Sequence, residues 1–238
     1  MSATLYFQSL PLCLTFNLSP LFQADAAGLL EQIFTCNIDG LDHQLGLPDS
    51  KILAVHGTLA LVRCEFCKRK MPSEEFREHM RSKIKDISAI DASAPVDSKV
   101  IACPNPRCLR AGMKPTAVLF GAKLGTAVAR RMRKHLPQTS MLFVVGTSLS
   151  VKPISSIPAQ CPLDTVRVVV NRDPPPSGFA FDSGRDHLLQ GECDEMFVAL
   201  AARLGWLPDL ARFRDEWPQA SKDMFDEALE SEAKDSAR

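Results

Sequence analysis

The sequence predicts an α/β fold built on a parallel sheet, and three observations carry that prediction. MLFVVG at 141–146 and VRVVVN at 166–171 are near-continuous apolar runs, the pattern of strands buried on both faces. Amphipathic segments flank them: TAVARRMRKHL at 126–136 has a basic face, and 192–204 sets Met196, Phe197, Leu200 and Leu204 on one side. Strand and helix therefore alternate, which implies a parallel sheet covered on both faces. The chain has 238 residues, 45% of them apolar, enough for one domain, or for one domain with a small second lobe.

Read in order, residues 1–23 show no clear periodicity and are expected to be irregular, since Pro11 and Pro20 interrupt the apolar stretch from Leu5 to Phe22. Residues 24–32 read as a short helix, and 33–35 as the end of a buried strand before the turn-rich NIDGLD. Residues 51–62 are apolar but alternate poorly and are broken at His56-Gly57. SEEFREHMRSKI at 73–84 reads as a charged helix with Ser73 as N-cap. Residues 86–99 are small and polar and read as an inserted loop, and TAVLF at 116–120 is a short apolar run closed by Gly121. From Pro208 onward nine acids face five bases, the composition of a solvated helical tail.

The 28 Lys and Arg balance the 28 Asp and Glu, so no electrostatic argument points to direct nucleic-acid or membrane-surface binding. No run of 18 apolar residues occurs, and no spanning helix is expected. The first cation is Lys51, so neither a signal peptide nor a transit peptide is readable. Eight cysteines in a chain of this length do not make a disulfide scaffold. They fit a reducing compartment and one metal site.

Cys64-Glu-Phe-Cys67 and Cys103-Pro-Asn-Pro-Arg-Cys108 form two knuckles separated by 35 residues. Two closely spaced thiolate pairs can close a tetrahedral shell around one zinc ion, leaving no position for water, so the site is structural. Four unrelated buried thiols would not cluster in this way, and a redox CxxC leaves the second pair unexplained.

Other motifs are double-edged. Thr35-Cys36-Asn37-Ile38-Asp39-Gly40-Leu41 follows a strand, where α/β folds bind ligands. The same residues could make an Asx-type turn with Asp39 as a helix cap. His56 could be a general base or a hydrogen-bonded core histidine. Gly146-Thr147-Ser148 could approach ribose or phosphate, or form an ordinary strand–helix turn. Asn171, at the end of the next strand, has the same ambiguity.

Taken in order, NIDGL (37–41), His56-Gly57, the two knuckles, KPTAVLFG (114–121), VVGTSLSVKP (144–153), VVVNRD (168–173) and GECDE (191–195) resemble the sirtuins, the NAD-dependent protein-lysine deacylases. The likeness runs from about Leu29 to about Trp206, and FDSGRDHLLQGECDE with the later LGW most resembles the class I branch that includes the cytoplasmic tubulin deacetylase. The resemblance implies a Rossmann-like NAD-binding domain over 24–57 and 116–206, a zinc-binding small lobe over 58–115 and an acidic tail over 207–238. It implies NAD and one structural zinc as cofactors, with zinc on Cys64, Cys67, Cys103 and Cys108. An acetylated-lysine protein or peptide would be the substrate, in cytoplasm or nucleus.

By the same resemblance, Asn37, Ile38 and Asp39 would line the nicotinamide pocket, with Cys36 beside the ribose. Gly146, Thr147 and Ser148 would meet the adenosine side. Asn171, Arg172 and Asp173 would lie at the adenine ribose, and Cys193 by the adenine. Val118, Phe120 and Gly121 would hold the acyl-lysine segment as an added strand. His56 would be the catalytic base for acyl transfer to ADP-ribose, with nicotinamide released.

The chain departs from the family pattern in three places. The glycine-rich Gly-Ala-Gly-Ile-Ser segment and the Pro-Asp-Phe-Arg loop are absent, which predicts a sheet truncated at its N-terminal end. Cys36 replaces the family's Gln, and Ala122 replaces the Glu that follows Phe-Gly. A catalytically inactive, zinc-stabilised binding module is the alternative reading, and an ADP-ribosyltransferase side activity is a third.

Overall fold

The computed structural model of the chain describes residues 3–7, 19–41, 47–119, 121–174 and 179–236. Two compact units result: the first is Met1–Asn37, Leu41–Val55 and Leu124–Arg238, and the second is Ile38–Gly40 and His56–Lys123.

In the first unit, six strands make an all-parallel sheet in the order β3-β2-β1-β7-β8-β9. These are β1 (Ala3–Phe7), β2 (Leu30–Thr35), β3 (Ile52–Ala54), β7 (Met141–Val145), β8 (Val166–Asn171) and β9 (Asp186–Gln190). The sequence predicts that 1–23 is irregular and that the sheet lacks its first strand. The structure places β1 in that central position, paired with Leu30–Thr35 on one side and Met141–Val145 on the other. Both partners are remote in sequence, and five residues carry no local periodicity that would reveal the pairing.

Helix α1 (Ser19–Ala26) ends earlier than the helix expected over 24–32. Gly28, at φ +69°, stops it. The Gly28 N–H donates to Asp25 O (2.9 Å) and the Leu29 N–H to Ala24 O (2.8 Å), the paired bonds of a Schellman cap. Leu30 is thereby released into β2.

Side chains alternate across the sheet. Phe143, Val145 and Val170 face one layer with Leu30, Ile33, Phe197 and Val198, among which α5 (Cys193–Arg203) is seated. Leu142, Val144 and Val169 face the other with Phe34, Val128 and Met132, from which α3 (Thr126–His135) is hung. Arg131 fastens α3 to the sheet edge, donating to Gln32 Oε1 (2.9 Å) and Ser50 O (2.6 Å). Between the paired positions 167 and 186 of β8 and β9, Arg167 and Asp186 form a buried double hydrogen bond.

The acidic C-terminal stretch is not a solvated tail. Trp217 and Phe225, the latter on α7 (Gln219–Ser236), are buried in the first layer, with ring centroids 5.0 Å apart. Trp217 Nε1 donates to Ser19 Oγ (2.9 Å), and Ser221 Oγ donates to Asp194 Oδ2 (2.9 Å). The charged Asp223, Glu227 and Glu230 of α7 are exposed.

The second unit holds a small antiparallel sheet in the order β5-β4-β6 and one helix. Its strands are β4 (Val62–Cys64), β5 (Lys70–Met71) and β6 (Met113–Pro115), and the helix is α2 (Ser73–Lys83). Pro72, not Ser73, stands at the N-cap, and Glu74 and Glu75 lie in the first turn, favourable to the helix dipole. No described helix is long and apolar enough to cross a membrane.

Candidate functional site

The best-defined site lies in the second unit. Cys64 closes β4, Cys67 sits on the turn after it, and Cys103 and Cys108 lie on the segment leading to β6. Their four sulfurs lie within 4.8 Å of one another. Cys64 and Cys108 are 3.8 Å apart, and Cys67 and Cys103 are 3.5 Å apart. A tetrahedron with zinc–sulfur bonds of about 2.3 Å spaces its sulfurs by about 3.8 Å. All four cysteines are free of disulfides. The set fits one structural zinc ion.

Both knuckles are made the same way. The residue after each pair, Lys68 at φ +64° and Leu109 at φ +48°, turns the chain back through the left-handed region. The Lys68 N–H donates to Cys64 O (3.0 Å) and the Leu109 N–H to Asn105 O (3.0 Å). The backbone N–H of Arg69 draws the Cys67 thiol down to about 6, whereas burial pushes Cys103 up to about 12. Zinc ligation would hold both as thiolates, deprotonating Cys103. Gly112 was not singled out from sequence, yet a Cβ there would meet the Phe66 ring at 2.5 Å and Cys64 Sγ at 3.2 Å. A glycine facing a metal knuckle was the available signal.

In the same unit a second arrangement surrounds His56. Its carbonyl accepts the Val118 N–H (2.7 Å). Thr58 and Thr116 lock the segments together, the Thr58 N–H donating to Thr116 Oγ1 (3.2 Å) and Thr116 Oγ1 to Thr58 O (3.1 Å). Gly57, at φ +69°, permits this approach, for a Cβ would lie 2.0 Å from Thr116 O. Ile38 joins through its carbonyl, which accepts the Leu59 N–H (2.7 Å) and the Thr58 hydroxyl (3.3 Å). The backbone thus gathers Ile38, Asp39, His56 and Val118. The half-buried His56 ring makes no hydrogen bond or ion pair among the described residues. Gly121 is exposed at φ +83°, and Phe120 lies outside the described residues.

The remaining predicted positions belong to the first unit and share one edge. Thr35, Phe7, Val145 and Val170 are in register across β2, β1, β7 and β8. The residues that follow these strands therefore emerge together at the carboxyl edge: Cys36 and Asn37, Gly146 to Ser148, and Asn171 to Asp173. The chain runs outward from β1 through β2 to β3, and outward from β7 through β8 to β9. The β1/β7 boundary is thus the topological switch point, where open α/β sheets bind ligands.

Local bonds hold this edge. The Asn37 N–H donates to Thr35 Oγ1 (3.1 Å), the Gly146 N–H to Val170 O (2.9 Å), and Asn171 Nδ2 to Asp173 O (3.0 Å). Gly146 has φ +58°. Thr147 is buried, and Ser148 is exposed with its hydroxyl 2.9 Å from that of Ser150. Arg172 reaches Glu192 at 3.7 Å. Cys193 opens α5 with its sulfur 3.8 Å from Val170 O, and burial raises its pKa to about 11. It is a neutral thiol.

The Sir2 family model matches residues 16–153. The NAD-dependent protein deacetylase hst2 of Schizosaccharomyces pombe is 29% identical over 187 residues, 79% of this chain and 50% of that protein. The NAD-dependent protein deacetylase hst2-2 of Emericella nidulans is 29% identical over 210 residues, 88% of this chain and 54% of that one. The NAD-dependent protein deacetylase sirtuin-1 of Homo sapiens is 32% identical over 182 residues, 76% of this chain and 22% of that one. The chain spans about half the length of the two fungal relatives.

Proposed function

The chain belongs to the Sir2 family, and from that premise we propose that it is an NAD-dependent protein-lysine deacetylase, transferring the acyl group to ADP-ribose with nicotinamide release. The observation that carries the proposal is the placement of the motif residues. Asn37, Gly146–Ser148, Asn171–Asp173 and Cys193 gather at the carboxyl edge of a parallel sheet with its switch point at β1/β7. Relatives named as NAD-dependent protein deacetylases support the same reading.

Each residue has a role in it. Asn37, Ile38 and Asp39, with Cys36 beside them, would bind the nicotinamide end of NAD. Gly146, Thr147 and Ser148 would hold the adenosine side, Asn171, Arg172 and Asp173 the adenine ribose, and Cys193 the adenine as an uncharged neighbour. Bound NAD would supply the ribose carbon that the acyl oxygen attacks as nicotinamide leaves, and the ribose hydroxyl that finally carries the acyl group. Val118, Phe120 and Gly121 would lie along an acetylated-lysine peptide, and the exposed Leu119 leaves that stretch open. His56 would take up a proton on its imidazole as general base. Its backbone bond to Val118 ties the base to the segment that holds the peptide. We place the activity in cytoplasm or nucleus, without a direct nucleic-acid or membrane partner.

Two features favour the inactive binding module. The stretch from Gln8 to Ala27 holds no glycine, the residue with which dinucleotide-binding folds approach a pyrophosphate, and Cys36 stands where the family has Gln. Comparing the wild type with His56→Ala separates the two readings. The enzyme reading expects nicotinamide release and peptide deacetylation to fall by about 10²–10⁴-fold, with melting temperature, zinc content and peptide binding unchanged. Peptide binding with no turnover in either protein supports the module. A His56→Ala chain that does not fold restores the core-histidine reading.

A further inference from the structure

Helix α3 carries four cations, Arg130, Arg131, Arg133 and Lys134, and no anion. Arg131 is spent on the sheet edge. Arg130, Arg133 and Lys134 are exposed at spacings of three and four, so they share one stripe. None of the three has an ion-pair partner among the described residues, in a molecule whose net charge is zero.

Helix α7 is the counterpart. It carries six acids against two lysines. Asp223, Glu227 and Glu230 are exposed at successive spacings of four and three, a stripe opposite in charge to that of α3. Their existing bonds are slight: Gln219 Nε2 donates to Asp223, and Lys234 lies 3.7 Å from Glu230, both groups about three-quarters exposed. Asp226 is already paired with Arg214 and takes no part.

The two stripes belong to opposite layers of the same sheet. Val128 and Met132 of α3 pack with Leu142 and Val144, whereas Phe225 of α7 packs with Val145 and Val170. Within one copy they cannot meet. We propose that α3 of one copy docks on α7 of a second copy, giving head-to-tail self-association. Two different patches on opposite layers make a heterologous contact, so growth is by strings or rings, not by a closed two-fold pair. Exposed ion pairs are individually weak, so the contact is readily reversible and salt-sensitive.

The test is sedimentation velocity of the full, zinc-loaded chain across a concentration series. At about 0.1 M salt the sedimentation coefficient rises with concentration; at about 1 M salt, where the Debye length falls to about 3 Å, it does not. The triple variant Arg130→Glu, Arg133→Glu, Lys134→Glu stays monomeric, and so does Asp223→Lys, Glu227→Lys, Glu230→Lys. An equimolar mixture of the two associates again. A control with Arg77, Arg81 and Lys85 reversed to Glu, on the other unit, behaves as wild type, which separates the stripe from net charge. Should either triple variant fold poorly, the single changes Arg133→Glu and Glu227→Lys are read in the same way. A wild type that is monomeric at every concentration overturns the proposal. So does association that survives either reversal, or a mixture that stays monomeric. Capture of a short DNA duplex by the α3 stripe without self-association would give that face to a nucleic acid, and also overturns it.

Discussion

The two units are held together by different physics. Among the described residues, the first buries side chains on both faces of a six-stranded sheet, 14 in one layer and 13 in the other. The second has a single cluster of seven buried residues, and two of these, Cys64 and Cys103, are metal-ligand candidates. A unit this small buries too little apolar surface to outweigh the entropy of ordering its loops. Its long inserted segment, with Ile87, Ile90 and Val96 exposed, adds chain without adding core. Zinc supplies what the core does not. The metal belongs to the architecture of one unit, and packing to the other.

That contrast is broken most sharply by removing the metal. Cys64→Ser, or zinc chelation, is expected to abolish metal binding and amide protection across 56–123, while β7 and β8 remain protected in hydrogen exchange. Native-like protection across 56–123 in a metal-free sample would contradict it. Acidification acts in the same direction, since four thiolates must be reprotonated to release the ion.

Smaller, graded losses are expected in the first unit. Phe225→Ala leaves a cavity between α7 and the sheet and costs about 3–5 kcal/mol, measured by denaturant unfolding. A solvated tail would show almost none of this. Asp186→Asn strands the buried Arg167 guanidinium and costs about 3–5 kcal/mol. Burial pushes the Asp186 carboxyl up, but the Arg167 pair and the Asp182 backbone N–H outweigh it, so its folded pKa is lowered. Its contribution is therefore present above about pH 3.9, the unfolded value, and is lost as pH falls through the folded one. Asp186→Asn should flatten the acid limb of the stability curve. At the other extreme, Ile87→Ser, on a side chain 92% exposed, should change stability by no more than about 0.5 kcal/mol.

What could be read from sequence follows the range of each interaction. Strands β7 and β8 announce themselves because both of their faces are buried and their runs are apolar throughout. The metal knuckles are legible because their spacing is local and thiolates at that spacing have few other uses. Strand β1 was hidden because its worth lies in two distant partners. Helix α7 was obscured by its charge count, although Trp217, Ser221, Phe225 and Leu229 recur every fourth residue. Only Trp217, Ser221 and Phe225 are fully buried. The tie between His56 and Val118 is a backbone bond across 62 residues, invisible to side-chain patterning.

The most direct measurement is mass spectrometry of an acetyl-lysine peptide incubated with the folded chain, with and without NAD, with zinc quantified on the same sample. Deacetylation that requires NAD, with one nicotinamide and one acyl-ADP-ribose formed for each acetyl group removed, is the predicted result. An unchanged peptide from a folded sample carrying one zinc per chain would contradict it.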